Sequence, residues 1–205
     1  EERERETLSR LARAIELRDS GTSAYLERMA RIAGLIAESM GLPEEQVRII
    51  GLAAPLHDIG KIAIPDSILL KPGPLDDDER RRMQTHPRIG YELLQDSQNR
   101  FIQAGARIAL HHHERFDGTG YPDRLAGNEI PIEARVVTTA DVFDALISPR
   151  PYKAAWSIES ALEYLREQSG RLFDPACVDA LVREQQRLRE ICAATALPAR
   201  IPFLQ

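Results

Sequence analysis

Apolar residues recur along most of the chain at every third or fourth position, which is the spacing of an amphipathic α-helix. The first two segments with this spacing run over 8–15 and 25–36, and the spacing returns in later segments. No segment shows the clear alternation of apolar and polar residues that marks a half-buried strand. The pattern therefore predicts an all-α fold.

Glycine and proline set the boundaries of the predicted helices. Gly41 and Pro43 end the second helix, and a third, strongly apolar helix follows from Glu44 to about Leu56. This third helix is predicted to be buried, because apolar residues occupy most of its circumference. It leads directly into a histidine and an aspartate.

The central part of the chain is broken more often. The segment 62–78 contains three prolines and a glycine and is predicted to be a loop, whose final aspartates cap the next helix. Pro87 is expected to interrupt that helix before it resumes through residue 94. Glycine and proline make 115–131 irregular. Further helices are predicted over 100–111, 132–146, 157–168 and 175–194.

The 205 residues, 43% of them hydrophobic, are enough to bury one core with an appended helix. We divide the chain into an N-terminal connector helix over 1–18, a single domain over 19–195 and a C-terminal tail over 196–205. The Glu and Arg run of the connector is typical of a solvated helix face. The same helix is a candidate element for forming a homodimer.

The charge balance excludes several partners. Lys and Arg total 27 against 32 Asp and Glu, so the net charge of -5 gives no general attraction to DNA or to anionic lipid. No apolar run reaches the length of a membrane span, and the charged start without Met indicates a piece of a longer, cytoplasm-facing protein. The two cysteines, Cys177 and Cys192, suit a reducing cytoplasm.

All five histidines lie at predicted helix ends or loop borders, at positions 57, 86, 111, 112 and 113. A single histidine on an apolar face is usually an ordinary core residue, but this grouping is not ordinary. His57 and Asp58 end a buried helix together, and a carboxylate can bridge two metal ions. Imidazole and carboxylate without thiolate suit iron, manganese, zinc or nickel. His112 and His113 can converge on one ion where their helix ends, whereas His111 would point elsewhere.

Two further elements add charged groups. Asp141 and Asp144 are three residues apart on an otherwise apolar helix, so they share a face, and a carboxylate there requires a cation. Lys61 follows His57 by four residues and could neutralise a phosphate, although an exposed lysine is the commoner outcome. Two metal ions bridged by a carboxylate serve attack on phosphorus, and similar ligands serve oxygen activation at di-iron sites.

The motifs HDIGK at 57–61 and HHERFDGTGYP at 112–122 resemble the HD-GYP family, a branch of the HD phosphohydrolases that hydrolyses cyclic di-GMP. The resemblance extends from about Arg18 to Asp179. It includes, in order, PDSILLKPG, THPRIG with His86, ADVFDAL with Asp141, and RPYKAAW from Arg150.

The resemblance implies a five-helix HD core with additional helices and a binuclear or trinuclear metal centre, often of iron. One ion would be bound by His57, Asp58 and Asp141. Asp58 would bridge to a second ion. The resemblance implies that the remaining ligands of this second ion are His86, His112 and His113. Lys61 would act with Asp58 in catalysis, beside the scissile phosphate.

The remaining implied residues bind the substrate or a partner. Gly120 and Tyr121 would form the GYP loop, which shapes the substrate pocket and could contact a diguanylate cyclase (GGDEF) domain. The base and phosphates of the dinucleotide would be contacted by Asp144, Arg150 and Lys153. An upstream sensory or receiver domain is expected in the full-length protein.

One departure concerns the E-T-G-x-H segment of the family, whose Glu and His complete the metal shell. Gly21 and Tyr25 stand at those positions here. Glycine offers no side-chain ligand and neutral tyrosine is a poor one, so two divalent ions are predicted, with the ion at His57 under-coordinated.

The leading hypothesis is thus a cyclic di-GMP phosphodiesterase that yields pGpG and, more slowly, GMP. The alternative is a catalytically weak or inactive receptor for the dinucleotide or for a protein partner. A di-iron oxygenase is disfavoured by the GYP and RPYK segments.

Overall fold

The computed structural model describes residues 2–19, 24–149 and 154–194. This part of the chain contains no β-strand beyond one isolated bridge, so the predicted all-α fold is confirmed. The eleven α-helices of the described residues are α1 Glu2–Asp19, α2 Ala24–Ser39, α3 Glu44–Ala53, α4 Asp66–Leu69, α5 Asp77–Met83, α6 His86–Leu94, α7 Arg100–His111, α8 Ile132–Ile147, α9 Ile158–Glu167, α10 Pro175–Arg183 and α11 Gln185–Ala194.

Helix α2 lies at the centre of the molecule and packs against α3, α8, α10 and α11. Its inner face presents Met29, Ile32 and Ile36, none of which has exposed surface. Val136 and Phe143 of α8 are equally buried in the same core. A second contact, between α6 and α7, brings the His86 end of one helix beside the histidine end of the other.

The chain between α3 and α4 differs from the prediction. Helix α3 ends at Ala53, and two 3-10 turns, Ala54–Leu56 and Ile59–Ala63, replace its expected last turn and the start of the loop. Pro55 explains the change, because proline inside an α-helix removes a hydrogen bond and clashes with the preceding turn. The two turns present His57 and Asp58 between them.

Two other boundaries also differ. The predicted loop contains the short helix α4, and the last predicted helix divides at Glu184 into α10 and α11. The interruption predicted at Pro87 is confirmed: α5 ends at Met83, and the helix resumes as α6, which has Pro87 in its first turn and ends at Leu94. The predicted aspartate cap is present: Asp76 and Glu79 form a reciprocal capping box at α5.

Several predictions concern residues outside the described part of the chain, namely Gly21, Arg150, Lys153 and the tail 196–205. Among the residues that are described, no helix combines the length and the apolar character needed to cross a membrane.

Candidate metal centre and active site

Three buried histidines are oriented by the same device. The Nδ1 atom of each lies close to a backbone carbonyl oxygen three residues earlier: 3.0 Å for His57, 2.8 Å for His86 and 3.0 Å for His112. Because a carbonyl oxygen only accepts, Nδ1 carries the proton and Nε2 keeps its lone pair. In its neutral form, each ring therefore presents an unprotonated Nε2 in a fixed direction, as a metal-binding histidine does.

The Nε2 atoms converge on the carboxylate of Asp58. Its Oδ1 atom lies 3.3 Å from Nε2 of His86 and 3.5 Å from Nε2 of His112, while Oδ2 lies 3.2 Å from Nε2 of His57. Oδ1 is buried and has no hydrogen-bond partner. Lone pairs that face a buried carboxylate repel it unless a cation lies among them, so this donor set fits a metal ion.

His113 completes the larger group. Ligand atoms of Asp58, His86, His112 and His113 all lie within 4.8 Å of one another. The structure thus brings together all four residues that the resemblance implies for one ion. His111 points away from this group, as expected, and its Nδ1 atom lies 3.9 Å from the carboxylate of Asp123.

The residues implied for the other ion lie on the opposite side of Asp58. Nε2 of His57 is 3.8 Å from Oδ1 of Asp141, and the phenol of Tyr25 donates a hydrogen bond to that same oxygen. Nζ of Lys61 lies 2.7 Å from Oδ2 of Asp58. Tyr25 therefore lies against the metal cluster, at the side where the resemblance led us to expect a weaker site.

Burial controls the protonation of the cluster. It lowers the pKa of His112 to about 4 and the pKa of His113 well below the usual value, so both rings are neutral at pH 7. Burial also opposes ionisation of Asp58, but Lys61 and His57 outweigh it and hold the pKa of this carboxyl well below its usual range. The pKa of His57 is raised, since burial is outweighed by the charge of Asp58. His57 must therefore give up its second proton when it binds a metal ion. The cluster offers the carboxylate of Asp58 and the neutral imidazoles of His112 and His113, which are the forms that bind metal.

The GYP loop packs directly onto the cluster. The Tyr121 ring stacks on His113 with centroids 4.7 Å apart and planes 19° apart, and burial raises the pKa of Tyr121 to about 12, which keeps the phenol neutral. Gly120 is required by close approach, because a Cβ atom there would lie 2.4 Å from the backbone nitrogen of Arg115. The loop therefore forms one wall of the site.

Two residues that support the site were missed by the sequence analysis. The Glu114 side chain is buried, and its Oε1 accepts a hydrogen bond from the backbone N–H of Asp123 at 2.7 Å. This bond holds the GYP loop in place. Arg28 of α2 is buried and forms an ion pair with Asp144. Arg28 could have been found from the sequence, because it is an arginine among the apolar residues of α2.

The expectation that Asp144 contacts the substrate does not fit its environment. Its side chain has no exposed surface, and Nη2 of Arg28 lies 2.9 Å from its Oδ2 atom. The same Arg28 nitrogen lies 2.5 Å from Oγ of Ser148. Asp144 shares a helix face with Asp141, as predicted, but its cation is Arg28. Through Arg28, Asp144 thus links α8 to α2 and to Ser148.

An HD domain family model matches residues 9–177. The chain is 70% identical over 192 residues to the cyclic di-GMP phosphodiesterase response regulator RpfG of Xanthomonas campestris pv. campestris. It is 46% identical over 181 residues to the 3'3'-cGAMP-specific phosphodiesterase 2 of Vibrio cholerae and 45% identical over 186 residues to a cyclic di-GMP phosphodiesterase of Thermotoga maritima.

These alignments cover 94%, 88% and 91% of the chain but only 51%, 35% and 50% of the three relatives. The chain thus spans about half the length, or less, of the curated relatives it matches.

Solved structures share the fold at low sequence identity. A cyclic GMP-AMP specific phosphodiesterase of V. cholerae, V-cGAP3, gives a TM-score of 0.70 at 20% identity, over 94% of this chain and 51% of that chain. The HD domain of L. monocytogenes phosphodiesterase PgpH, in complex with cyclic-di-AMP, gives 0.57 at 15% identity, over 93% and 99%.

This fold and site define a class of protein: an all-α domain in which the ends of helices direct imidazoles onto a shared aspartate. The chain belongs to the HD domain family, whose phosphohydrolases are metal-dependent. Its recognition from the two motifs as a member of the HD-GYP branch is confirmed.

Proposed function

We propose that this chain is a metal-dependent phosphodiesterase domain that hydrolyses cyclic di-GMP to linear pGpG and, more slowly, to GMP. One observation carries the proposal. The buried Oδ1 atom of Asp58 has no hydrogen-bond partner and faces the unprotonated Nε2 atoms of His86 and His112. This arrangement suits a cation, and its ligand types are those of metal-dependent phosphoester hydrolysis.

Two divalent ions are proposed. His57, Asp58 and Asp141 would bind one, and Asp58 would share the other with the three remaining imidazoles of the cluster. Iron is favoured by the resemblance, and the same ligands accept manganese, zinc or nickel. When bound, the ions supply an activated water and neutralise the charge on the phosphoryl group.

The chain's own groups complete the chemistry. The ammonium group of Lys61, 2.7 Å from Asp58, lies where it can donate a proton to the departing ribose oxygen. The neutral Tyr121 ring keeps His113 in place and covers one side of the cluster, which limits access of water. Arg150 and Lys153 are proposed to bind the phosphates, since they supply local positive charge in a chain whose net charge is -5.

The choice of cyclic di-GMP rests on the relatives. RpfG, at 70% identity, and the T. maritima relative are named cyclic di-GMP phosphodiesterases, whereas the V. cholerae relative at 46% identity is named for 3'3'-cGAMP. The higher identity favours cyclic di-GMP. A competition assay with both dinucleotides at equal concentration tests this choice, and faster hydrolysis of 3'3'-cGAMP would contradict it.

A catalytically weak receptor is the second candidate, and Tyr25 is the observation that favours it. Its phenol donates a hydrogen bond to Asp141, one of only three proposed ligands on that side. A carboxylate that accepts such a bond is a weaker metal ligand, so the ion at His57 would be loosely bound. Combining Gly21→Glu with Tyr25→His restores both missing ligand types, and a rise in metal stoichiometry and turnover would show that they limit the natural domain.

The proposed setting is a bacterial signalling protein in the cytoplasm. RpfG is named a response regulator and is about twice as long as this chain, which supports an upstream receiver module. The GYP loop is proposed to contact a diguanylate cyclase domain, because residues such as Arg115 and Thr119 are exposed there. Self-association through α1 remains a proposal, testable by sedimentation of the isolated domain.

The decisive assay is turnover of cyclic di-GMP by protein reconstituted with iron(II) or manganese(II), with pGpG and GMP separated by chromatography. We expect pGpG first, and we expect Asp58→Asn, which keeps the shape of the side chain but cannot bridge two ions as a carboxylate, to abolish its release. Tight binding of cyclic di-GMP by the loaded wild-type protein without any release of pGpG would select the receptor function.

A further inference from the structure

Helix α1 packs chiefly against the two 3-10 turns that present the catalytic residues. Its inner residues Ala12 and Ile15 are buried in the core, so the helix is docked along its C-terminal half. The second of these turns, Ile59–Ala63, carries Lys61. A 3-10 turn has poorer hydrogen-bond geometry than an α-helix, so it depends on external contacts for a fixed position.

Arg18, in the last turn of α1, supplies such contacts. Its Nη1 atom donates to the backbone carbonyl of Lys61 at 3.1 Å and, more weakly, to that of Ile62 at 3.4 Å. Its Nη2 atom donates to the carbonyl of Ile64 at 2.6 Å, and its Nε atom donates to Oδ1 of Asp66 at 2.8 Å. One guanidinium thus binds the backbone on both sides of the end of the turn.

The chemistry explains why an arginine lies there. Carbonyl groups at the end of a helical turn carry partial negative charge, so a cation stabilises them. The Lys61 carbonyl already accepts the amide of Ile64 at 3.0 Å, and its second lone pair is available to the guanidinium. A planar guanidinium has five donors and can reach several acceptors at once, which an ammonium on a flexible stem cannot do in the same geometry. The Arg18 side chain is 31% exposed, so its contacts are partly shielded from water.

The other end of Lys61 lies in the active site, where Nζ is 2.7 Å from Asp58. Arg18 itself does not contact the cluster in any of these bonds. We propose that Arg18 is a positioning residue, which couples the docking of α1 to the position of Lys61 by capping the Ile59–Ala63 turn. The role of Lys61 in this inference rests on the proposed function, whereas the capping of the turn by Arg18 does not.

Two consequences distinguish positioning from general stabilisation. Loss of Arg18 releases the turn without removing a metal ligand, so metal stoichiometry stays unchanged. Lys61 is proposed to assist the leaving group, which happens in the transition state, so kcat falls while KM hardly changes. A displacement of about 1 Å can reduce a rate by roughly 100-fold, and we expect a loss of about 10- to 100-fold.

The experiment compares Arg18→Ala, Arg18→Gln and Arg18→Lys with Arg10→Ala in the metal-loaded domain. Arg10 lies on the same helix, is 75% exposed and is paired with Glu6, so it is a matched control. We expect the Ala and Gln variants to lose kcat, Lys to retain part of it, and Arg10→Ala to match wild type. The Gln and Lys variants keep the test open if Arg18→Ala fails to fold.

A double mutant tests whether the effect passes through Lys61. In a Lys61→Met background, Arg18→Ala should produce no further loss of kcat, because the group that it positions is already gone. An equal fold-loss in both backgrounds would overturn the proposal, as would a kcat equal to that of Arg10→Ala.

Hydrogen exchange supplies a readout that is independent of turnover. The amides of Lys61 and Ile64, which bond to the carbonyls of Asp58 and Lys61, should exchange faster in Arg18→Ala than in Arg10→Ala. Unchanged exchange there would refute the capping role. A wild-type domain without phosphodiesterase activity would refute the proposed function alone, since the exchange result stands without it.

Discussion

Replacing Gly60 by alanine should break the metal centre without touching a single ligand. Gly60 lies in the turn that follows Asp58, and this turn packs against α6 with backbone facing backbone. A Cβ atom at position 60 would lie 2.0 Å from the carbonyl oxygen of His86 and 2.6 Å from the nitrogen of Gly90. Neither atom belongs to a side chain that could rotate away, so the turn and α6 must separate.

The size of the separation follows from the geometry. Ordinary contact begins at 3.4 Å, so the two backbones must part by about 1.4 Å. His86 lies on the helix that moves and Asp58 immediately precedes the turn, with 3.3 Å now separating Nε2 from Oδ1. Metal ligands tolerate displacements of about 0.2 Å, so the shift is several times too large. Overpacking of this kind also destabilises a fold by about 1–3 kcal/mol.

The assay combines metal content by plasma mass spectrometry with urea unfolding of the metal-free domain. We expect Gly60→Ala to lose most of its tightly bound metal and to unfold at a lower urea concentration than the wild-type domain. The control is Gly34→Ala, since a Cβ at that helical position meets nothing within 4 Å and alanine is favoured by up to about 1 kcal/mol in a helix. A Gly60→Ala domain with wild-type metal content and stability would refute the reasoning.

Two further substitutions test the surroundings of the centre. Gly120→Ala should displace the GYP loop and unstack Tyr121, because the added Cβ would lie 2.4 Å from a backbone atom. We expect slower turnover with the metal retained. Loss of all metal would show that the loop has a different role. Arg28→Ala should destabilise the domain by about 3–5 kcal/mol in urea unfolding, because it leaves Asp144 buried without its cation. The exposed Arg187→Ala should lose no more than about 1 kcal/mol, and equal effects of the two would contradict this account.

The helices themselves were predictable because apolar spacing and the glycine and proline breaks are local signals. Pro87 was correctly interpreted as an interruption, because proline cannot continue α5 but is harmless in the first turn of α6. The prediction failed where a proline was left inside a predicted helix. Pro55 lies within the predicted third helix, and it produces the 3-10 turns that present the proposed catalytic residues.

The convergence of His86, His112 and His113 on Asp58 could be predicted because histidine and aspartate carry their chemistry in the side chain, and the motifs fix their order. Asp144 shows where such reasoning ends. Its spacing from Asp141 placed both on one face correctly, but a buried arginine from a distant helix satisfies it. The same holds for Arg18, whose partners are main-chain carbonyls that no residue pattern identifies. Long-range partners of this kind depend on tertiary packing, which the sequence pattern does not specify.

We propose that the buried carboxylate of Asp58 is shared by two metal ions. Anomalous diffraction from crystals of the domain loaded with iron or manganese tests it directly. We predict two peaks, one beside each oxygen of Asp58, with the weaker peak on the side of His57, Asp141 and Tyr25. A single peak, or two peaks that do not share Asp58, would contradict the account.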